Sequence, residues 1–96
     1  MPHFQFVWDL KKSDSNLKKH GVSFKEALSV FYDENGRELY DPNHSELEED
    51  RFLFIGISSR LRLLLVCYCY RENDFTIRII SARKATKNES TIYTGA

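Results

Sequence analysis

An α+β fold, with helices packed on one face of an antiparallel β-meander sheet, is what this sequence predicts, and three observations carry the prediction. Two helix-capping patterns follow one another in the N-terminal third. The span 51–81 reads as three consecutive strands joined by short loops. A last cap-like pattern, Thr86 with Glu89, closes the chain with a short helix. Ninety-six residues predict a single domain over 1–96, with room for one core and not two.

Taken in order, Phe4–Trp8 alternates apolar residues at 4, 6 and 8 as a short strand does. Asp9 is placed to cap a polar helix through Lys19, and His20-Gly21 stops it. Gly21 suits the left-handed position, and a cation at His20 favours the helix dipole. Ser23-Phe24-Lys25-Glu26 fits a capping box, Ser23 accepting from Glu26 while Glu26 reaches back. Phe24, Ala27, Leu28 and Phe31 then follow the spacing of one buried helical face. After a turn at Asp33–Gly36, Arg37–Asp41 reads as a strand closed by Pro42. The polar stretch 43–50 has room for a single helical turn capped by Ser45 with Glu48.

The three later strands are Arg51–Ser58, Arg62–Tyr70 and Phe75–Ser81, with three-residue loops at 59–61 and 72–74 that pair odd residues with odd. Odd positions are wholly apolar and are expected to face the helices. Even positions place Arg62, Tyr68, Tyr70, Phe52, Phe54 and Arg78 together on a mixed, open face. Cations among exposed rings suit single-stranded nucleic acid, phosphate on guanidinium and base on ring. The competing reading is a face partly covered by the C-terminal segment or another chain, since Leu64, Val66 and Ile80 are too apolar to lie bare.

Charge bears on the same question. The formal net charge is zero, yet Lys and Arg number 6 against 11 Asp and Glu in residues 1–50, and 8 against 3 in residues 51–96. The halves are thus −5 and +5, which either focuses a positive field in one cleft or pairs two solvated faces with each other. No apolar run is long enough to span a membrane, and no signal peptide is readable. Cys67 and Cys69, two apart on one strand, are poorly placed to bond each other and read as free thiols of a cytoplasmic protein. No zinc spacing, Gly-rich phosphate loop or serine-nucleophile motif is present, so neither a metal nor another cofactor is expected.

The motifs taken together resemble the BrnT family of ribonuclease toxins. The resemblance runs through Trp8-Asp9, Asn16, Lys19-His20-Gly21-Val22-Ser23-Phe24, Glu26-Ala27 and Phe31. It continues through Asp41, His44-Ser45, Glu48-Glu49, Arg51, Ile55-Gly56 and Ser58, and ends in Ile77 through Thr86 with Glu89 and Tyr93. Two positions depart from the family pattern. Asp50 separates Glu49 from Arg51, and Leu61 stands where the loop ordinarily ends in Gly, a position that strains a non-glycine residue at positive φ. The resemblance implies a RelE-like fold and RNA cleavage that inhibits translation. It also implies a BrnA-like ribbon–helix–helix antitoxin in a heterotetramer of two toxins and two antitoxins, which contacts DNA only through the antitoxin.

Cleavage of RNA through its 2′-OH needs a base, cations on the phosphorane and an acid at the leaving oxygen. The catalytic candidates are Arg62, Arg78 and Arg83 for phosphate, His20 as acid or base, and Glu49 as base or as orienter of Arg51. Each arginine has the rival role of an ion-pair partner, with Arg83 reaching the acidic 46–50 loop. His20 has the rival role of a helix cap, and His44 reads as a turn residue. Lys19, Arg51, Tyr68, Tyr70, Lys84 and Tyr93 are the secondary RNA contacts. The alternative function is an inactive toxin-like module that docks an antitoxin and modulates transcription.

Overall fold

Local capping chemistry sets the helices, as the computed structural model, which describes residues 4–43, 45, 49–71 and 75–95, makes plain. Helix α1 (Leu10–His20) follows strand β1 (Gln5–Val7). It starts where the Asp9 carboxylate accepts from the Lys12 amide and ends on Gly21 at φ 70°. Helix α2 (Phe24–Ser29) is capped by Ser23, whose hydroxyl accepts from the Glu26 amide, and runs into a 3-10 turn, Val30–Tyr32. Only half of the expected capping box forms there, because the Glu26 side chain leaves for Arg62 and Ser58. Helix α3 (Lys87–Thr94) has the complete box between Thr86 and Glu89.

Strands β2 (Arg37–Tyr40), β3 (Arg51–Ile57), β4 (Leu63–Arg71) and β5 (Thr76–Lys84) complete a five-stranded sheet of order β1-β5-β4-β3-β2. β1 pairs parallel with β5, Phe6 opposite Ile77, so the sheet is mixed and not purely antiparallel. That long-range pairing lies outside what period-2 alternation can specify, because alternation names a strand and not its neighbour.

The second hairpin departs from the expected register. Arg71 lies opposite Thr76, so odd residues face even ones near the turn. A bulge restores parity further along: Tyr68 faces Ile79 and Cys67 faces Ser81, which leaves Ile80 as the extra residue of β5.

In β3 and β4 the faces are the reverse of those expected, whereas the odd Ile77 and Ile79 of β5 meet the helices as expected. Phe54, Leu64, Val66, Tyr68, Ile77, Ile79 and Ala82 pack against Val22, Phe24, Ala27, Val30 and Phe31, so the even positions of β3 and β4 form the helix-side core. The Phe31 ring sits at its centre, 4.7 Å from Phe54 and 4.9 Å from Tyr68, the latter edge-on at 88°. Gly36 permits this arrangement, since a Cβ there would meet the Phe54 ring at 2.3 Å. The odd positions form a second face, carrying Leu53, Leu65 and Cys67. α3 packs on β3 from that side. Glu49 also reaches this side, accepting from the buried Cys69 thiol at 3.1 Å.

His44, Glu46, Glu48 and the loop expected at 72–74 lie outside the described residues. Among the described residues no helix is long and apolar enough to cross a membrane, and both cysteines are free.

Candidate nucleic-acid cleft

β1 covers β5 only over Thr76–Arg78, which leaves the backbone groups of β5 farther along in need of partners. Buried Asn16 supplies them. Its amide nitrogen donates to the carbonyls of Ala82 and Val22, both at 2.8 Å, and its oxygen accepts from the Ala82 amide at 3.1 Å. One side chain thereby fixes α1 to the outer edge of β5. His20, four residues on and on the same helical face, is carried to the Ser81–Arg83 end of that strand.

There it lines a cleft of about 430 Å³ on the second face, together with Arg51, Arg83, Asp41, Glu89 and the apolar floor of Leu53, Leu65 and Cys67. Arg51 is half-buried, its guanidinium 3.7 Å from Glu49, and its buried Nε has no acceptor among the described residues. No hydrogen bond holds the His20 ring among those residues either. Arg83 is engaged: both terminal nitrogens grip Glu89, at 2.7 and 2.8 Å. That grip holds the Glu89 carboxyl down at about 2. Arg83 thus ties β5 to α3 through Glu89; residues 46–48 of the acidic loop it was expected to reach lie outside the described residues.

Beside the cleft, Glu49 joins Cys69, Arg51 and Arg78, the last at 4.0 Å. The Cys69 hydrogen bond and then the two arginines hold its carboxyl below the usual range, while burial and Glu49 push the thiol up to about 11. Glu49 therefore remains an anion beside Arg51 and Arg78. Lys19 lies past His20 in an adjoining groove, and Lys84 is exposed at the end of β5.

The other candidates lie elsewhere. Arg62 does not share an open face with Arg78. Its guanidinium is turned to the helices, where Nε donates to Glu26 at 2.9 Å and Nη2 donates both to Glu26 and to the Gly21 carbonyl, the latter at 2.9 Å. Tyr68 is wholly buried and donates to Glu38; Tyr70 donates to the same carboxylate at 2.5 Å. Burial and then Glu38 push the Tyr68 phenol well above its ordinary range. With Phe52 and Phe54 these tyrosines are part of the packed core or its margin, not a stacking platform. Tyr93 donates to Asp33 at 2.7 Å and pins the end of α3.

The structure thus brings His20, Arg51 and Arg83 together, sets Glu49 and Arg78 beside them, and separates Arg62, Tyr68, Tyr70 and Tyr93 from them. Sequence reasoning missed Asp41 and Glu89 as cleft walls, and it missed Lys11 and Lys12 in the groove with Lys19. The lysines were findable: residues 11, 12, 15, 16, 19 and 20 share one helical face.

A family profile described as the ribonuclease toxin BrnT of type II toxin–antitoxin systems matches residues 8–89 of this chain. The crystal structure of the Brucella abortus ribonuclease toxin BrnT is similar in fold. Its TM-score is 0.56 and its identity 22%, and the match covers 88% of this chain and 99% of that one. No curated protein sequence matches the chain.

Proposed function

Because the chain belongs to the BrnT family of type II ribonuclease toxins, we propose that it is a metal-independent endoribonuclease whose active centre is the cleft shared by His20, Arg51 and Arg83. The observation that supports this most is Arg51, a half-buried guanidinium with an orphan Nε in a cleft that also holds a histidine. Guanidinium donors fixed before substrate arrives are what a phosphorane dianion requires. His20 is the group that moves protons: in one protonation state it takes the 2′-hydroxyl proton, in the other it supplies the leaving 5′-oxygen. Glu49 orients Arg51, and Arg78 adds positive field from beside the cleft. Arg83 contacts phosphate only if Glu89 releases it, and Lys19 and Lys84 hold flanking phosphates.

In this reading the RNA cut inhibits translation in the cytoplasm. A BrnA-like ribbon–helix–helix antitoxin, two copies to two toxins, silences the enzyme and supplies the DNA contact. An inactive module that only docks the antitoxin is the second reading, and one observation favours it: Arg62 and Arg83, two of the arginines that the sequence nominates for phosphate, already have carboxylate partners.

A cleavage assay decides between them. The purified chain, in excess EDTA, is expected to cut single-stranded RNA to 2′,3′-cyclic phosphate ends, and a 2′-deoxy substitution at the cut site abolishes the product. His20→Ala and Arg51→Ala each lower the rate by about 100-fold or more while the fold persists. An intact, folded chain that cleaves no RNA removes the enzyme reading and leaves the binding module.

A further inference from the structure

Beyond the cleft, the molecule holds a second groove whose Lys11 and Lys12 have no role so far. It has a volume of about 300 Å³, runs along α1, and is walled by Lys11, Lys12 and Lys19 with Ser15 and Asn16. Its far end is His20, Ile80 and Ser81, and these same three residues also line the cleft. The two concavities are therefore continuous across one saddle. Their charge differs: the cleft sets Asp41 and Glu89 against its cations, whereas the groove has three ammonium groups and, among the described residues, no carboxylate in its walls.

The saddle is shaped by the β-bulge. Ile80 is the residue of β5 left without a partner on β4, and it stands half-buried between the two concavities. A bulge re-aims a side chain that regular pairing would have sent to one face of the sheet. Here it presents an apolar contact with lysines on one side and Arg51 and His20 on the other. Lys11 and Lys19 are eight residues apart on α1, about 12 Å along the axis. That is a line of charge and not a point.

We propose that this groove is the track for the phosphate backbone of single-stranded RNA leading into the cleft, with Ile80 as an apolar rest for the base at the saddle. The proposal rests on the ribonuclease reading for what happens in the cleft, but binding to the track does not require cleavage. Ammonium groups on flexible stems recognise phosphate as charge without reading sequence, so the track supplies affinity and direction and leaves base choice to the saddle. A single strand fits this geometry: the cations follow one line, and one base at a time can unstack onto Ile80.

The test uses the full chain and a 2′-O-methyl RNA oligonucleotide, which binds but offers no 2′-OH to attack. The variant Lys11→Ala/Lys12→Ala removes two groove cations from exposed helix positions. Lys18→Ala/Lys25→Ala removes two exposed lysines that line neither concavity and serves as the charge-matched control. The groove variant is expected to weaken binding about tenfold at low salt. It should also flatten the log–log salt dependence by about 1.4, since each phosphate of a single strand left without its ammonium lowers the slope by roughly 0.7. Its KM on cleavable RNA rises by the same factor while kcat stays, and Ile80→Ala weakens any base preference at the cut.

An unchanged salt slope, or an equal loss in the control pair, overturns the track. So does an equal loss on duplex RNA, which would make the groove a reader of charge alone. A groove variant that keeps RNA affinity and loses only affinity for polyglutamate also overturns it, in favour of an acidic protein partner. If the parent chain cleaves nothing yet shows the predicted binding losses, the ribonuclease reading fails and the track stands.

Discussion

The two faces of the sheet use charge in opposite ways. On the helix-covered face every described polar group of the central network is matched: Glu26 is held by Arg62 and Ser58, and Glu38 by Tyr68 and Tyr70. On the second face the cleft leaves the Arg51 Nε without an acceptor and the His20 ring without a hydrogen bond among the described residues. A satisfied buried network contributes rigidity, and a buried donor without an acceptor costs stability that a bound acceptor restores. In the proposed reading, the contrast separates arginines that hold the fold from one held ready for substrate.

Exchanging the two arginines for alanine tests that separation most severely. The Glu26 side chain is 5% exposed, and the Arg62 guanidinium holds its carboxyl below the usual range. Arg62→Ala strands that carboxylate and should cost about 3 kcal/mol, a fall in Tm on the order of 15 °C. Arg51→Ala should leave Tm within a few degrees and remove cleavage. Thermal unfolding beside an activity assay reads both. If Arg51→Ala unfolds the protein as readily as Arg62→Ala, Arg51 is a structural residue and the contrast between the faces fails. Glu26→Gln, which keeps shape and removes the charge, checks that the Arg62 loss comes from the stranded anion.

What could be foreseen follows the range of each interaction. The caps at Asp9, Ser23, Gly21 and Thr86 were legible because a cap is decided within four residues. The side of the sheet that meets the helices was not. Leu63, Leu64, Leu65 and Val66 are apolar at both parities, so alternation in β4 cannot choose a face. The bulge at Ile80 carries no glycine to announce it, and the parallel partner of β1 lies about seventy residues away. His20, Arg51 and Arg83 could be nominated as cations. Their meeting depends on Asn16 docking α1 to Ala82, and Asn16 is a polar residue on a polar helix until that contact exists.

Helix α3 sharpens the comparison, since it lies on the second face and has no buried residue. It is held by the Arg83–Glu89 pair near its start and by Tyr93 on Asp33 near its end. The Glu89 carboxyl sits at about 2 in the folded chain against 4.5 for a free glutamate. Its folded value is depressed, so the stabilisation is complete above about pH 4.5 and is lost as pH falls toward 2. Arg83 is 41% exposed, which screens the pair and limits the effect to about 1 kcal/mol. Hydrogen exchange at α3 amides should accelerate across that window while β4 amides stay protected, and Arg83→Gln should leave only the weaker pH dependence of the Thr86 cap. Simultaneous exposure of α3 and β4 would show that the helix is part of the core unit and not a latch over the cleft.

The smallest effect concerns a residue that belongs to neither face. Leu61, in the β3–β4 turn, is the one non-glycine residue at positive φ among the described residues, at φ 60°. It is 86% exposed, so its side chain contributes little packing that could offset the strain. Leu61→Gly relieves the strain and enlarges the freedom of the unfolded chain, and these terms oppose each other. The first should win by about 0.5–1 kcal/mol, seen as a higher urea midpoint at unchanged m-value. Because the turn positions Arg62 for Glu26 and lies outside the cleft, cleavage should not change. A gain in stability with altered activity would mean that the turn communicates with the second face. A loss of stability would mean that Leu61 makes a contact worth more than its strain.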